Sequence, residues 1–316
     1  MIPPTGSGEF DLIARIRARV RDRGDVVVGI GDDAAVLQPP PGQQLAITTD
    51  TLNVDVHFFA QTRAYDLGWK ALAVNLSDLA AMGAEPAWCT LSLSLPASDP
   101  AWLDEFLQGF LDLANEQRIA LVGGDTTRGP LSIAVTAIGC VDAGRALRRA
   151  GACVDDDVWV SGALGDAAAA LAQWPTPRDA LRRRLDRPQP RVALGRRLLG
   201  LAHSAADVSD GLLADLGHIC RASGVGAEIW LPTLPASDAL LALDAADRVV
   251  WQATGGDDYE LCFTAAASQR DAIVRLGEEL DLGLTRIGRI VLGHEVTALD
   301  ASGQPWQGAR QGYVHF

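Results

Sequence analysis

The sequence predicts an α+β protein of two domains, and three observations carry that expectation. The chain has 316 residues, 48% hydrophobic and 21% charged, which supports a large core and exceeds the usual length of one domain. Helical and strand-like segments alternate without the regular strand–helix–strand rhythm of a doubly wound sheet. A Gly-bounded stretch, Gly144 to Gly151, separates the halves, so the domains are set at 1–146 and 147–316.

The elements follow in order. Glu9 to Arg23 carries Phe10, Leu12, Ile13, Ile16 and Val20 at helical spacing. Asp25 to Ile30 is a short β-branched strand, and Leu45 to Thr48 another. Asp66 to Met82 reads as a long apolar helix, stopped by Gly83 with Pro86 just beyond. Thr90 to Leu95 alternates with period two, as a half-buried strand does. Trp102 to Glu116 is helical, and strands Ile119–Val122 and Leu131–Val141 flank a Gly-rich loop. In the second half, Asp157–Ser161 is a strand and Asp166–Gln173 a helix. Arg178 to Arg197, broken by Pro188 and Pro190, reads as a solvated helix and linker. Strand, Gly-rich turn, helix and strand follow, including a helix over Gly211–Ser223.

Composition removes several functions. The net charge of −13 disfavours nucleic-acid binding, which needs a basic face. Of 27 basic residues only Lys70 is lysine, so neither the Gly-Lys-Ser/Thr of a P-loop nor the strand lysine of a protein kinase is present. Cys89, Cys140, Cys153, Cys220 and Cys262 are scattered without a Cys-x-x-Cys. They read as reduced thiols rather than a zinc motif. The N-terminal segment lacks an apolar signal core and no long apolar run occurs, so a soluble cytoplasmic protein without membrane partners is expected.

One device recurs: short apolar segments end in small residues followed by aspartate, in GIGDD (29–33), ITTD (47–50), LVGGD (121–125), DVSD (207–210) and TGGDD (254–258). Any single aspartate here also fits a turn or a helix cap, and Asp210 is placed to cap Gly211–Ser223. Asp78 tips the balance. It sits in the apolar run LAVNLSDLAAMGA with Asn75 three residues earlier on the same face. A carboxylate there needs a partner or a metal, Lys70 being the local alternative. Mg²⁺ takes hard oxygen ligands and bridges substrate phosphates. Asp33, Asp50, Asp78, Asp125, Asp207 and Asp210, with the hydroxyls of Thr48 and Thr49, form a candidate ligand set that divalent cations would neutralise. Gly123–Gly124, followed by Arg128, offers unobstructed backbone N–H groups to phosphate. No Gly-x-Ser-x-Gly occurs and the five histidines are dispersed. His57 stands out only for following TTDTLNVDV, and a structural role is the alternative.

The strings GEFDLIARI, GIGDDAAVL, TTDTL, KALAVNLSDLAAMGAEPAW, GGDTTRGPLS, DVSDGLLADLGHI, GGDDYELCF and GYVHF together resemble the thiamine-monophosphate kinase family, in the superfamily of aminoimidazole ribonucleotide synthetase. The match covers about residues 8–316. It implies the two-domain synthetase-like fold with mixed or antiparallel sheets packed by helices, and a homodimer paired through N-terminal domains that bind metal and ATP. It implies Mg²⁺-dependent transfer of the ATP γ-phosphoryl group to thiamine monophosphate. It also implies metal ligation by the set above, ATP contacts at Gly124, Asp125, Arg149 and Ser209, and substrate contacts at His57, Asp257 and Tyr313. One departure stands out: the family commonly has Gly-Gly-Glu-Asp-Tyr-Glu, whereas Asp257 here is one methylene shorter.

Other activities of the superfamily compete with this reading. Selenophosphate synthesis needs a reactive Cys or selenocysteine and a Lys near the N-terminus, and hydrogenase maturation needs a C-terminal Cys; this sequence has neither. A non-enzymatic nucleotide- and metal-binding module is the third alternative, distinguished by the absence of turnover.

Overall fold

The computed structural model describes residues 9–20 and 23–308. The chain divides into two compact units with a boundary after Gly144, and Ala80–Ala84 groups with the second.

The first unit contains, in order, α1 (Glu9–Arg19), β1 (Val26–Val28), β2 (Val36–Leu37), β3 (Gln43–Asn53), α2 (Ala64–Ala81), β4 (Glu85–Leu95), α3 (Pro100–Gln117), β5 (Ala120–Arg128) and β6 (Ser132–Asp142). β3, β6, β4 and β5 form one sheet in that order, with only the β4–β5 pair parallel. Leu72, Leu76 and Leu79 of α2 and Phe106, Phe110 and Leu113 of α3 are fully or almost fully buried. The two helices touch backbone to backbone. A Cβ on Gly68 would lie 2.0 Å from Phe106 O, and one on Gly109 1.9 Å from Tyr65 O, so only glycine permits this crossing. α3 starts at Pro100 because Asp99 caps it, accepting the N–H groups of Ala101 and Trp102 at 3.0 and 3.1 Å.

The second unit contains β7 (Asp157–Ser161), α4 (Asp166–Ala172), α5 (Asp179–Asp186), α6 (Val192–Arg197), β8 (Ser204–Asp207), α7 (Leu212–Ser223), β9 (Gly226–Trp230), α8 (Asp238–Leu241), α9 (Ala245–Thr254), β10 (Leu261–Ala265), α10 (Arg270–Leu280), β11 (Leu284–Val291) and β12 (Val296–Leu299). Its six strands run β12-β9-β11-β7-β10-β8, antiparallel except for β12 with β9. Val158, Val160, Leu216, Ile219, Ile229 and Ile290 lie in its main core. Both units are α+β with mixed sheets.

Three local expectations change. The Gly-rich stretch 123–129 is no loop, because residues up to Arg128 belong to β5 and pair with β4. Gly124 has φ +152°, and a Cβ there would lie 1.8 Å from Leu91 O. Glycine serves close strand approach here. The aspartate device is not confined to strand ends either. Asp50 and Asp125 lie within strands, Asp207 closes β8, and Asp257 and Asp258 precede β10. The arginine-rich segment 178–197 is only partly solvated, since Arg184 and Arg191 turn into the second unit.

Candidate active site

Strand alternation in β3 sorts its side chains onto two faces. Thr48 and Asp50 face α2, where Asn75 and Asp78 share one side of the helix. Thr48 Oγ1 donates to Asp78 Oδ2 at 2.5 Å. The Asp50 N–H donates to Asn75 Oδ1 at 3.1 Å, while Asn75 Nδ2 donates to Ala71 O at 3.1 Å. That second bond fixes which end of the amide meets Asp50. Burial, and then the Asp78 charge, push the Asp50 carboxyl up to about 6. The cluster offers hard oxygen donors and a mutual repulsion that a divalent cation relieves, so its chemistry fits Mg²⁺.

The remaining first-unit candidates are placed differently. Thr49 points to the opposite face, its Oγ1 2.8 Å from Thr136 Oγ1. Gly124 stands in the row of Asp50, Val135 and Leu91, whereas Asp125 stands in the next row with Thr51, Ala134 and Ser92. Asp125 is therefore exposed on the face away from Asp50. Asp33 lies exposed between β1 and β2, its N–H on Asp32 Oδ1 at 2.8 Å. His57 sits in the turn after β3, its Nδ1 accepting the Asn53 N–H at 3.0 Å.

In the second unit, two of the aspartate motifs become neighbours. The β8–β10 ladder continues past its strands. Val208 N–H donates to Glu260 O and Tyr259 N–H to Val208 O, both at 2.8 Å, and Asp257 N–H donates to Ser209 O at 2.9 Å. Ser209, Asp210 and Asp257 thus meet at the C-terminal end of β8, beside the buried Asp207. The helix cap is not Asp210. Asp215 reaches back, and its Oδ2 accepts the N–H groups of Ser209, Asp210 and Gly211 at 3.0, 3.0 and 3.1 Å. Burial pushes Asp215 up to about 7, while the Asp210 N–H bond and the Arg149 charge pull the other way. Arg149 also acts on His218, while its backbone O accepts the Ser223 Oγ hydroxyl at 3.2 Å, so its backbone lies at the C-terminal end of α7 and its charge acts back along the helix. Tyr313 lies outside the described residues.

Sequence reasoning missed a buried network behind the Asp257 segment. Glu260 is fully buried and accepts Ser161 Oγ, Arg184 Nη2 and Arg191 Nε, each at 2.6 Å, with Arg191 Nη2 at 2.5 Å. Next to it Asp258 Oδ2 accepts the Gly165 N–H at 2.8 Å. Burial holds Asp258 well above the usual carboxylate range. Asp257 and Tyr259 both adopt left-handed backbone, φ +67° and +51°, and Tyr259 OH donates to Asp257 Oδ1 at 3.0 Å. The network pins a strained segment whose ends present Asp257.

Comparison with known proteins bears on this arrangement. Residues 31–141 match the AIR synthase related protein, N-terminal domain, and residues 154–300 match the AIR synthase related protein, C-terminal domain. The chain is 49% identical to a thiamine-monophosphate kinase of Escherichia coli (strain K12), over 98% of both chains. It superposes on the crystal structure of thiamine-monophosphate kinase from Stenotrophomonas maltophilia K279a with a TM-score of 0.88 and 57% identity, covering 93% of this chain and 96% of that one. It also superposes on AaThiL complexed with AMPPCP and TMP, with a TM-score of 0.77 and 31% identity, covering 98% and 97%.

Proposed function

This chain belongs to the thiamine-monophosphate kinase family of AIR synthase related proteins, and on that premise we infer how its residues carry out the reaction. The reaction is phosphoryl transfer from ATP to thiamine monophosphate, giving thiamine diphosphate and ADP. The observation that carries the residue-level reading is the Thr48–Asp50–Asp78 cluster, oriented by the buried Asn75.

Asp50, Asp78 and Thr48 hold Mg²⁺ in this reading. Asp33 and Asp125 are further exposed carboxylates of the same unit; within the second unit, Asp207 and Asp210 are the carboxylates proposed as metal ligands. Bound there, Mg²⁺ supplies positive charge that offsets the phosphate oxygens and the carboxylates. Thr49, whose hydroxyl pairs with Thr136 on the other face, and Asp125, exposed on that same face, are the weakest members of the set. Gly124, Asp125, Arg149 and Ser209 contact ATP, and His57, Asp257 and Tyr313 contact thiamine monophosphate.

The acceptor is a phosphate monoester with a second pKa near 6, largely dianionic at neutral pH. It needs no strong general base, which agrees with a site built from carboxylates and hydroxyls. The side chains hold the two phosphates in line while their charges are screened. Transfer is direct, without a phosphoenzyme.

The protein works as a cytoplasmic homodimer. Among the described residues no helix is long and apolar enough to cross a membrane. On β3, Leu45 and Ile47 are 47% and 63% exposed, an apolar face that a second copy would cover. Light scattering on the full chain measures that state.

Incubation with ATP, Mg²⁺ and thiamine monophosphate tests the activity through formation of thiamine diphosphate. Isotope-chiral ATP tests the mechanism. Net inversion at phosphorus is expected, and net retention defeats direct transfer.

A further inference from the structure

A second cluster of ligating side chains lies in the second unit, built of different chemistry. Cys153 Sγ, an Asp156 carboxylate oxygen and a His203 ring nitrogen all lie within 4.8 Å of one another. Cys153 is the exposed cysteine of the five, whereas Asp156 is buried. Asp156 Oδ2 accepts the Cys153 N–H at 2.8 Å and stands 2.9 Å from His203 Nδ1. The ring is thus already oriented by the carboxylate.

The backbone around the cluster is held from several sides. Ser223 Oγ accepts the N–H groups of Gly151 and Ala152 at 3.1 Å each. Gly151 packs so closely on the next segment that a Cβ would lie 2.5 Å from His203 O. Asp155 N–H donates to Ile290 O at 3.0 Å and Ile290 N–H to Asp156 O at 2.8 Å. His203 N–H donates to Thr264 O at 2.8 Å. Three ligand groups on two anchored segments need little ordering to close on an ion.

We propose that Cys153, Asp156 and His203 form a binding site for one Zn²⁺ ion. A thiolate, an imidazole and a carboxylate are the donors that Zn²⁺ accepts, with bonds of about 2.3 Å to sulfur and about 2.0–2.2 Å to nitrogen or oxygen. Mg²⁺ prefers oxygen alone and binds poorly to sulfur. The site is therefore separated by donor type from the carboxylate–hydroxyl cluster. Three protein ligands leave a fourth position for water. Entry of the ion moves the imidazole proton from Nδ1 to Nε2 and releases the thiol proton to solvent. The bound ion ties the segment before β7 to the start of β8, the strand that ends at Asp207.

The test uses the full chain, reduced and freed of metal, with excess Mg²⁺ to fill the oxygen sites and Co²⁺ as a spectroscopic replacement for Zn²⁺. One equivalent of Co²⁺ is expected to give a sulfur-to-cobalt charge-transfer band and tetrahedral visible bands, both abolished by Zn²⁺. Cys153→Ser loses the charge-transfer band. His203→Ala and the bulkier His203→Gln each weaken Zn²⁺ binding by about tenfold or more, and all three variants keep wild-type turnover. A wild type without the band, a band that survives Cys153→Ser, or unchanged Zn²⁺ affinity in both His203 variants overturns the proposal.

Discussion

Asn75 Oδ1 accepts the backbone N–H of Asp50 at 3.1 Å, so a fully buried amide on a helix sets the height of a carboxylate on a strand. Asn75→Ala leaves that N–H without its acceptor, in a cluster partly shut off from water. The expected loss is about 1–3 kcal/mol of stability, read by urea unfolding. The Mg²⁺ concentration for half-maximal turnover should rise as well, because Asp50 is no longer fixed opposite Asp78. A variant with normal stability and normal Mg²⁺ dependence would assign Asn75 no role in the cluster.

Asp78→Asn keeps the size of the side chain and an oxygen for Thr48, but removes a charge. At fixed Mg²⁺ most of kcat should disappear while the circular dichroism spectrum and unfolding midpoint stay near wild type. Near-normal turnover would mean that Asp78 serves the fold alone.

The Asp50 carboxyl, raised to about 6 by burial and by Asp78, links stability to pH in the metal-free protein. The folded state holds this proton more tightly than the unfolded chain does. Its contribution is favourable at low pH and is lost as pH rises from about 4 through about 6. The full loss is on the order of 3 kcal/mol. With chelator present, Asp50→Asn should therefore match wild type at pH 4 and exceed it in Tm at pH 7. Added Mg²⁺ should close that gap by stabilising wild type only. Equal Tm values at pH 7 without metal would show that the burial penalty is relieved some other way.

Some of this arrangement was legible in the sequence. Asn75 and Asp78 stood out because a polar pair interrupts an apolar helix, and burial makes such pairs costly. Their partners were less legible. The face that Asp50 occupies depends on the register of an eleven-residue strand, of which the apolar pattern marked only Leu45–Thr48. Gly123 and Gly124 read as a loop because glycine weakens strands, yet here it admits the Leu91 carbonyl. Asp210 does not cap α7, whose N-cap Gly211 receives no side-chain cap; Asp215 in the first turn instead reaches back to the N–H groups of Ser209, Asp210 and Gly211 just before the helix. The arginines of Glu260 lie 76 and 69 residues away along the chain. Nothing local distinguishes Arg184 or Arg191 from their solvated neighbours.

That Glu260 network makes a prediction of its own. Arg191→Met leaves a fully buried carboxylate with Arg184 and Ser161 alone, and should cost roughly 3 kcal/mol in unfolding free energy. Combining Arg191→Met with Glu260→Leu removes that carboxylate and leaves Arg184 to Asp166. The double variant should be more stable than Arg191→Met. If it is the less stable of the two, the ion pairs contribute more than their desolvation removes.

Asp257 offers the sharpest test of substrate recognition. Its backbone is fixed by the N–H bond to Ser209 O at 2.9 Å, and its carboxylate by Tyr259 OH at 3.0 Å. The side chain is therefore held in one orientation and has little freedom to search for a ligand. The thiamine end of the substrate is cationic, so a fixed carboxylate should contribute to its binding and not to that of ATP. Asp257→Asn keeps the shape and the Tyr259 bond but loses the charge. It should raise the thiamine-monophosphate KM roughly 10-fold or more, the effect of one charge-assisted contact, and leave the ATP KM within about twofold. Asp257→Glu restores the longer reach and should not raise the thiamine-monophosphate KM. Parallel increases in both KM values for Asp257→Asn would instead place Asp257 in the support of the β8–β10 ladder, with no contact to thiamine monophosphate.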